Sequence, residues 1–480
     1  MVQTPSTTYT AATGTSPTRK SAPLWAVLLA ACAGQFLVVL DVSVVNTALP
    51  SMRADLGMSA IGLQWVVNAY SIAFAGFMLL GGRAGDLFGR KRMFLVGLGL
   101  FTAASLGGGL AQAEWQLLAA RALQGLGAAI LAPSTLTILT SAVPEGAARV
   151  RAIGVWSAVG AGGGAAGGLV GGLLTDLLSW RWVLLINVPI GALVIVAGLA
   201  WLTEGRSGAA RRLDVPGAVL VTAGLATLAY GIVQTEEKGW TAAATLVPLV
   251  AGLALLAVFL VVEARTKVPL MPLKLFKVRT VSAANAAMFV CGAGMFAMWM
   301  FMTLYAQNVL GYSPLKAGLA LMPSSLTIVA GSMIAPRLMP VLGAKNVSVV
   351  GIVVAAAGFG WQSTMTVDGG YVTSIMLPGI VMMFGAGLAT TPLASLATSG
   401  AQPGDAGLVS GLVNTSRTMG GALGLSVLST VAAAQTGGSA SRQALTDGYA
   451  MAFRTSGFIL LAGVVVLLLW MPRQRTSARG

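Results

Sequence analysis

Fourteen long apolar runs dominate the sequence, and their length decides what the chain can fold into. Each run has about twenty residues or more, the length that an α-helix needs to cross the hydrocarbon core of a bilayer. Only 9% of the 480 residues are charged and 56% are hydrophobic, whereas soluble proteins have about 25% charged residues. The sequence therefore predicts an all-α integral membrane protein. The runs are approximately 24–48, 61–81, 93–112, 115–139, 151–174, 182–202, 215–234, 242–262, 281–307, 315–339, 345–364, 371–396, 406–432 and 452–471.

An even number of crossings puts both termini on one side of the membrane, and the basic residues indicate which side. If the tails are cytoplasmic, the tails and the loops on that side hold 21 of the 29 basic residues, and the other side holds six. This asymmetry follows the positive-inside rule. We expect a multi-pass protein of the cytoplasmic (inner) membrane with both termini in the cytoplasm. The same distribution explains the net charge of +15 without nucleic acid as a partner.

The longest basic connection, residues 263–280, separates eight runs from six. Residues 82–91 after run 2 and residues 336–345 after run 10 are degenerate copies of one pattern at matching positions, and internal repeats are typical of secondary transporters. The first tail is rich in Thr, Ser and Pro, which is typical of disorder. The predicted organisation is a disordered tail (1–20), an N-terminal six-helix bundle (21–204), two additional helices with a basic linker (205–280), a C-terminal six-helix bundle (281–472) and a second tail (473–480).

Asp41 is the one acidic residue that lies well inside an apolar run. A carboxylate in hydrocarbon costs about 2.5–3.5 kcal/mol on insertion scales and tends to take up a proton. Arg121 lies well inside run 4, and a rise of about 1.5 Å per residue puts both side chains roughly 10 Å below the same membrane surface. The two side chains can therefore meet, and protonation of Asp41 would change their pairing. A static buried ion pair is the alternative.

The loop after run 2 combines glycines with charges in the segment Gly82-Arg83-Ala84-Gly85-Asp86-Leu87-Phe88-Gly89-Arg90-Lys91-Arg92. Glycine permits a tight turn, and Asp86 can cap the next helix or pair with an arginine of a neighbouring helix. Such a cluster can hold helices together in one conformation and release them in another. A basic loop that only sets the topology is the alternative. The candidates for this conformational latch are Gly82, Asp86, Gly89, Arg90 and Lys91.

Run 5 is rich in glycine at spacings that let two helices approach closely. A cluster of this kind can serve as a hinge, and tight helix packing alone is the alternative. The hinge candidates are Gly163, Gly167, Gly168, Gly171 and Gly172.

Met, aromatic and amide side chains, most of them in run 9, are candidates for a substrate cavity. Adaptable apolar side chains with a few amides suit a hydrophobic ligand, although core and lipid-facing positions have the same composition. Arg417 lies in the middle of run 13 without an acid inside any run to match it; it binds backbone carbonyl groups, reaches Asp405 or faces a polar cavity. The cavity candidates are Gln124, Asn285, Phe289, Trp299, Tyr305, Gln307, Asn414 and Arg417.

Several of these segments resemble motifs of the major facilitator superfamily. The loop at 82–92 resembles the signature G-x-L-a-D-r-x-G-r-k, with Ala84 at the Leu position and Leu87 at the first Arg position. Residues 40–50 and 121–127 are similar to the helix-1 and helix-4 motifs of the fourteen-helix drug:proton antiporter branch, and the helix-4 motif is associated with proton transfer. Residues 163–172 resemble the antiporter motif of helix 5, but Gly168 replaces the expected Pro and removes its kink.

The resemblance covers nearly the whole chain and is strongest over residues 41–191. It implies two six-helix bundles with two extra central helices, and a monomeric antiporter that exports hydrophobic or amphipathic drugs in exchange for protons. A facilitator for a specific metabolite or nutrient and a non-transporting membrane scaffold are the alternatives. The sequence has no histidine, no phosphate-binding P-loop, no zinc-ligand cluster and no serine-hydrolase elbow. We therefore expect no enzyme activity, no cofactor and no metal.

Overall fold

The computed structural model describes residues 23–144, 147–204, 213–266, 269–271, 273–398 and 406–471, and within these ranges it contains fourteen long helices. The predicted tails and the predicted boundary near residue 205 lie outside the described residues. A 3-10 helix, Leu273–Lys277, precedes the ninth long helix. The long helices are α1 (Leu24–Leu56), α2 (Ala60–Phe88), α3 (Arg90–Gly109), α4 (Glu114–Ala142), α5 (Ala147–Leu177), α6 (Trp182–Trp201), α7 (Val215–Lys238), α8 (Ala243–Arg265), α9 (Arg279–Val309), α10 (Pro314–Leu342), α11 (Ala344–Gln362), α12 (Val372–Ala397), α13 (Ala406–Thr436) and α14 (Arg442–Trp470).

Thirteen of the described helices are long and apolar enough to cross a membrane. The remaining one, α13, has 31 residues, which is also sufficient at a rise of about 1.5 Å per residue. Large apolar side chains lie on the outer surface, and Leu193, Val250 and Leu469 are 72%, 65% and 78% exposed. Such a surface is stable against lipid tails and costly in water. The prediction of an all-α, multi-pass membrane protein is therefore confirmed.

The helices form two six-helix halves and an extra pair. Helices α1–α6 pack on one another as the N-half, and helices α9–α14 pack as the C-half. The extra helices α7 and α8 pack on each other, and α7 also packs against α2 and α13. An apolar cluster of Ile72, Val221, Leu225 and Ala422 joins these elements. The extra pair therefore covers the side of the molecule where the N-half meets the C-half through α2 and α13.

The two ends of the bundle differ in charge. One end carries the start of α1 and the end of α14, together with Lys91 and Lys345; we call it the basic face. Lys91 Nζ donates to Leu202 O at 2.6 Å, and Lys345 Nζ donates to Met471 O at 2.9 Å, which places a cation at the C-terminal end of a helix, where the helix dipole favours it. The opposite end, the distal face, carries an ion pair between Asp55 and Arg181 at 2.6 Å.

Two buried carboxyl groups hold the connection between α8 and α9. Asp214 caps α7 by accepting a hydrogen bond from Gly217 N at 2.9 Å, and Glu263 accepts one from Met271 N at 2.8 Å. Leu270 N lies between both carboxyl groups, at 3.4 Å from Asp214 and 3.3 Å from Glu263. Both carboxyl groups therefore meet at one backbone N–H group of this connection. The carboxyl pair thus fixes the start of the connection to the C-half.

Helices α5 and α10 join the two halves near the distal face and separate toward the basic face. Gly168 and Gly318 approach so closely that a Cβ on Gly318 would collide with the Gly168 carbonyl group. Nearer the basic face, the corresponding sides of these helices are exposed, at Ala158 on α5 and at Leu326 and Met333 on α10. On this side of the molecule, we infer a cavity between the halves that opens toward the basic face.

The apolar core has the same asymmetry. The largest cluster contains Leu49 of the N-half and Met302 of the C-half, so it crosses between the halves. Near the basic face the clusters stay within one half, as with Leu139 and Val143 in the N-half and Ala335 and Val347 in the C-half. The conformation is closed on the distal side because apolar packing between the halves is concentrated there.

Candidate functional site

Asp41 and Arg121 form a buried ion pair inside the N-half. Arg121 Nη1 donates to Asp41 Oδ2 at 2.6 Å, and the two residues are 0% and 1% exposed. Asp41 lies in the middle of α1, and Arg121 lies two turns into α4. The structure thus brings together the two side chains whose depths in the sequence predict that they meet.

Amide side chains from two further helices complete the surroundings of Asp41. Gln124 Nε2 and Asn187 Nδ2 donate to Asp41 Oδ1 at 3.0 Å and 2.9 Å. Both amides also contact Ser105 Oγ, at 2.7 Å and 3.3 Å, and Gln124 Oε1 accepts a hydrogen bond from Arg121. The carboxylate of Asp41 thus accepts three hydrogen bonds from protein donors. Side chains from α1, α3, α4 and α6 therefore make one buried polar network.

The position of Arg121 is fixed by two contacts besides the carboxylate. Its Nε donates to Val66 O at 3.0 Å, and its guanidinium lies over the ring of Tyr70, with 4.4 Å from Cζ to the ring centroid. Both partners are on α2. A cation over an aromatic face is stabilised by the ring quadrupole, more strongly where water is excluded. The guanidinium therefore links three helices of the N-half through one side chain.

Apolar packing seals the network from the basic face. Leu37, Leu98, Phe101 and Leu131 form a buried cluster directly below it. The network lies nearer the distal ends of its helices, since Ser105 is four residues from the end of α3 and Asn187 is five residues from the start of α6. One carboxylate at this depth can hold a single proton, and its neutralisation would leave Arg121 without its counter-charge.

The predicted latch lies at the junction of α2 and α3. Gly89 has φ +104°, and it ends α2 and precedes α3. Glu204, at the end of α6, accepts hydrogen bonds from Lys91 N and Arg92 N, both at 3.2 Å. A carboxylate at a helix start is stabilised by the helix dipole. The side chain of Asp86 lies outside the described part of the structure, and Gly82 and Arg90 lie on α2 and α3.

The glycines of the predicted hinge occupy two sides of α5. Gly163, Gly167 and Gly171 face α1, where added Cβ atoms would collide with Phe36, Ser43 and Thr47. Gly168 and Gly172 face α10, against Gly318 and Pro314. The first set fixes α5 to its own half, and the second set makes the contact between halves. Because Gly168 has no pyrrolidine ring, α10 can approach the backbone at this position.

The cavity candidates differ in burial and in their partners in this conformation. Gln124 belongs to the Asp41 network, and Tyr305 is fully buried and donates to Thr366 O at 2.7 Å. Asn285 accepts from Ser416 Oγ at 3.2 Å, and Gln307 Nε2 donates across the halves to Thr47 O at 2.8 Å; both tie helices together. Phe289 and Trp299 are half-buried on α9, and Asn414 and Arg417 are exposed on α13.

Comparison with known proteins agrees with this architecture. The sequence profile described as the Major Facilitator Superfamily matches residues 31–425. The chain belongs to this superfamily. The resemblance of the loop, helix-1 and helix-4 motifs to that superfamily is therefore confirmed.

Two relatives and one solved structure show how far the similarity extends. The chain is 47% identical to the cephamycin export protein CmcT of Amycolatopsis lactamdurans, over 96% of the chain and 95% of that protein. It is 38% identical to the puromycin resistance protein pur8 of Streptomyces alboniger, over 93% and 91%. The crystal structure of the transporter PepTSo has a TM-score of 0.70 at 15% identity, covering 92% of this chain and 97% of that one, and supports the fold.

Three residues of the polar contacts are absent from the sequence-based set. Asn187 lies within residues 41–191, where the resemblance to the superfamily is strongest, but that resemblance assigned no role to its amide. Ser105 lies in an apolar and small-residue stretch that gives no signal. Glu204 lies just after α6, and only the fold places it at the start of α3. Sequence reasoning found the charges because they interrupt hydrophobic runs, but it did not find their neutral partners.

Proposed function

We propose that this superfamily member is a proton-coupled antiporter that exports hydrophobic or amphipathic antibiotics across the cytoplasmic membrane by alternating access. The relatives named for cephamycin export and puromycin resistance support the cargo class. The observation that carries the coupling is the buried ion pair of Asp41 and Arg121. An ionisable group at this depth is costly, and such groups usually serve ion or proton pathways.

The orientation follows from charge. The basic face is proposed to be cytoplasmic, since Lys and Arg concentrate in cytoplasmic loops. Both termini are then cytoplasmic, and the cavity between the halves opens to the cytoplasm. This is the conformation in which an exporter takes up its cargo.

The protonation state of Asp41 fits the order of antiport. In the cytoplasm-open conformation the carboxylate accepts hydrogen bonds from Arg121, Gln124 and Asn187. In this proposal the proton leaves Asp41 before cargo is taken up. In the opposite conformation a proton from the external side neutralises Asp41, and Arg121 must find other acceptors. The resulting shift of α4 against α1 links proton uptake to the change of access.

The glycine contacts and the loop motif set the two conformations in this proposal. Gly168 and Gly172 let α5 and α10 close the external side, while Gly163, Gly167 and Gly171 hold α5 on α1. The conformational latch stabilises the packing of helices at the cytoplasmic side. Its residues are Gly82, Asp86, Gly89, Arg90 and Lys91. Transport needs one polypeptide with both halves, so we propose that the monomer is functional.

The test uses everted membrane vesicles from a host without its own drug pumps. A panel of puromycin, lincomycin and a cephamycin is offered under an imposed pH gradient. Asp41→Asn should lose accumulation driven by the gradient, yet keep exchange of labelled for unlabelled drug at equal pH, because only the proton step is removed. Wild-type accumulation by Asp41→Asn would rule out the coupling role.

Asp55→Asn is the matched control, since Asp55 lies on the same helix but at the distal surface, paired with Arg181. It should retain gradient-driven transport. Arg121→Ala should abolish transport in both assays, because Asp41 would remain buried without a counter-charge. If the wild-type protein transports none of the three compounds, the export proposal itself fails.

A further inference from the structure

Arg417 is an exposed arginine inside the membrane part of the C-half. It lies 11 residues from the start of α13, hence roughly 17 Å along the helix from the basic face. Among the described residues its hydrogen-bond partner is Asn414, with 3.5 Å between Nη2 and Oδ1. A charged side chain at such a depth faces the interior of the bundle or a water-filled cavity.

The side of α13 that carries Arg417 faces the interior of the molecule. Residues 421, 425 and 428 follow at spacings of 4, 8 and 11 and so lie on the same side of the helix. Leu425 and Leu428 are fully buried in the cluster that joins the halves, and a Cβ on Gly421 would touch the ring of Phe296. Toward the distal face, this side of α13 is covered by apolar packing. At Asn414 and Arg417 it is exposed, so these side chains line the cavity that opens at the basic face.

The backbone at Arg417 is held in place while its side chain is not. An added Cβ on Gly292 would collide with the Arg417 carbonyl group, so α9 and α13 are in direct backbone contact there. The neighbouring Ser416 donates to Asn285 at 3.2 Å. The fixed backbone preorganises the guanidinium for a ligand, because the backbone loses less conformational freedom when the ligand binds.

No described carboxylate compensates Arg417. Asp41 is buried and bonded to Arg121, and Asp214 and Glu263 accept hydrogen bonds from backbone N–H groups of the linker. Asp405 lies outside the described residues. Within the described part of the chain, Arg417 is therefore a positive charge without a carboxylate partner, next to the amide of Asn414.

We infer that Arg417 and Asn414 form a binding site for an anionic group, a carboxylate or sulfonate, on the transported compound. The guanidinium offers paired N–H donors that match the two oxygen atoms of such a group. The half-buried rings of Phe289 and Trp299 on α9 are candidates to contact the apolar part of the compound. Binding neutralises the cavity, so the loaded site can close within the membrane at lower electrostatic cost.

This inference rests on the proposed export function, and the experiment separates the two. Purified full-length protein in nanodiscs of neutral phosphatidylcholine is titrated with cefoxitin, a carboxylic acid, and with its methyl ester. The wild type should bind the acid roughly tenfold to hundredfold more tightly than the ester, the range expected for charge-assisted hydrogen bonds. Arg417→Gln should remove this difference and leave ester binding unchanged. Arg417→Lys should restore part of the difference, which a structural role of the guanidinium would not predict.

Arg53→Gln is the matched control, because it removes an exposed arginine at the distal end of α1. It should keep the preference for the acid. Equal binding of acid and ester by the wild type, or an equal loss of both in Arg417→Gln, would overturn the inference while puromycin transport still supports export. Loss of the preference only in nanodiscs that contain phosphatidylglycerol would also overturn it, since the site would then take a lipid phosphate in the membrane.

Discussion

Asn187 and Asp41 are joined by a hydrogen bond of 2.9 Å between Nδ2 and Oδ1, although 146 residues separate them in the chain. The bond attaches α6, an outer helix of the N-half, to the carboxylate in α1. Its acceptor is the group proposed to carry the proton. A neutral side chain from another helix therefore contacts the group on which the proposed coupling depends.

Asn187→Ala should reduce drug accumulation driven by a pH gradient more than drug exchange at equal pH. The variant removes one donor to the buried carboxylate of Asp41, the group proposed to carry the proton. A hydrogen bond to a charged group contributes about 1.5–3 kcal/mol, and about 1.4 kcal/mol corresponds to a tenfold change in rate. A reduction on the order of tenfold in the rate of gradient-driven accumulation is expected.

Asn346→Ala is the control for that variant, since Asn346 donates to Leu342 O of the preceding turn and is far from the network. Its transport should match the wild type in both assays. An equal loss in both assays by Asn187→Ala would show that the amide positions the helix without affecting proton coupling.

Gly318→Leu should shift the protein toward the conformation that is open at the distal face. A side chain at this position collides with the backbone of Gly168, so α5 and α10 cannot close there. Spin labels at the exposed positions Val155 and Leu326, in a background without Cys32 and Cys291, should move closer together as the basic side closes. Gly360→Leu, a change into open space on α11, should leave the distance unchanged. The same distance in both variants would contradict the closure mechanism.

Glu204→Ala should destabilise the junction of α2 and α3. Two backbone N–H groups, of Lys91 and Arg92, lose their acceptor, and loss of a helix cap costs about 1 kcal/mol. Thermal unfolding in detergent should occur at a lower temperature, with Glu204→Gln between the alanine variant and the wild type because the amide oxygen still accepts. An unfolding temperature equal to that of the wild type in Glu204→Ala would show that the cap has no stabilising effect.

Glu263→Ala should destabilise the attachment of the extra helices more than Glu263→Gln. The amide oxygen of glutamine can still accept a hydrogen bond from Met271 N. Alanine leaves this backbone N–H group without its acceptor, at a cost of about 1–3 kcal/mol. The rate at which a thiol reagent labels the buried Cys291 on heating measures the difference. Equal labelling rates for the two variants would show that the acceptor at this position does not stabilise the connection.

The helices follow from the sequence because backbone groups in a bilayer must be bonded within their own segment. Apolar runs of twenty residues therefore become helices whatever their neighbours are, and each of the fourteen runs corresponds to one described helix. Most bounds agree within a few residues, but α1 and α2 extend eight and seven residues beyond their runs, and α14 begins ten residues before its run. Asp41 and Arg121 stand out for the same reason, since a charge inside such a run is costly. Their equal depth follows from the constant rise of a helix.

The sequence by itself determined that this chain crosses the membrane many times and that one acid and one arginine lie at the same depth within it. Only the tertiary structure decided which neutral groups surround that pair, that Tyr305 is buried in the core, and that Arg417 is exposed in the cavity. The physical reason is that hydropathy acts residue by residue along one helix. Hydrogen bonds and close glycine contacts depend on which sides of separate helices face each other, and local sequence does not encode that.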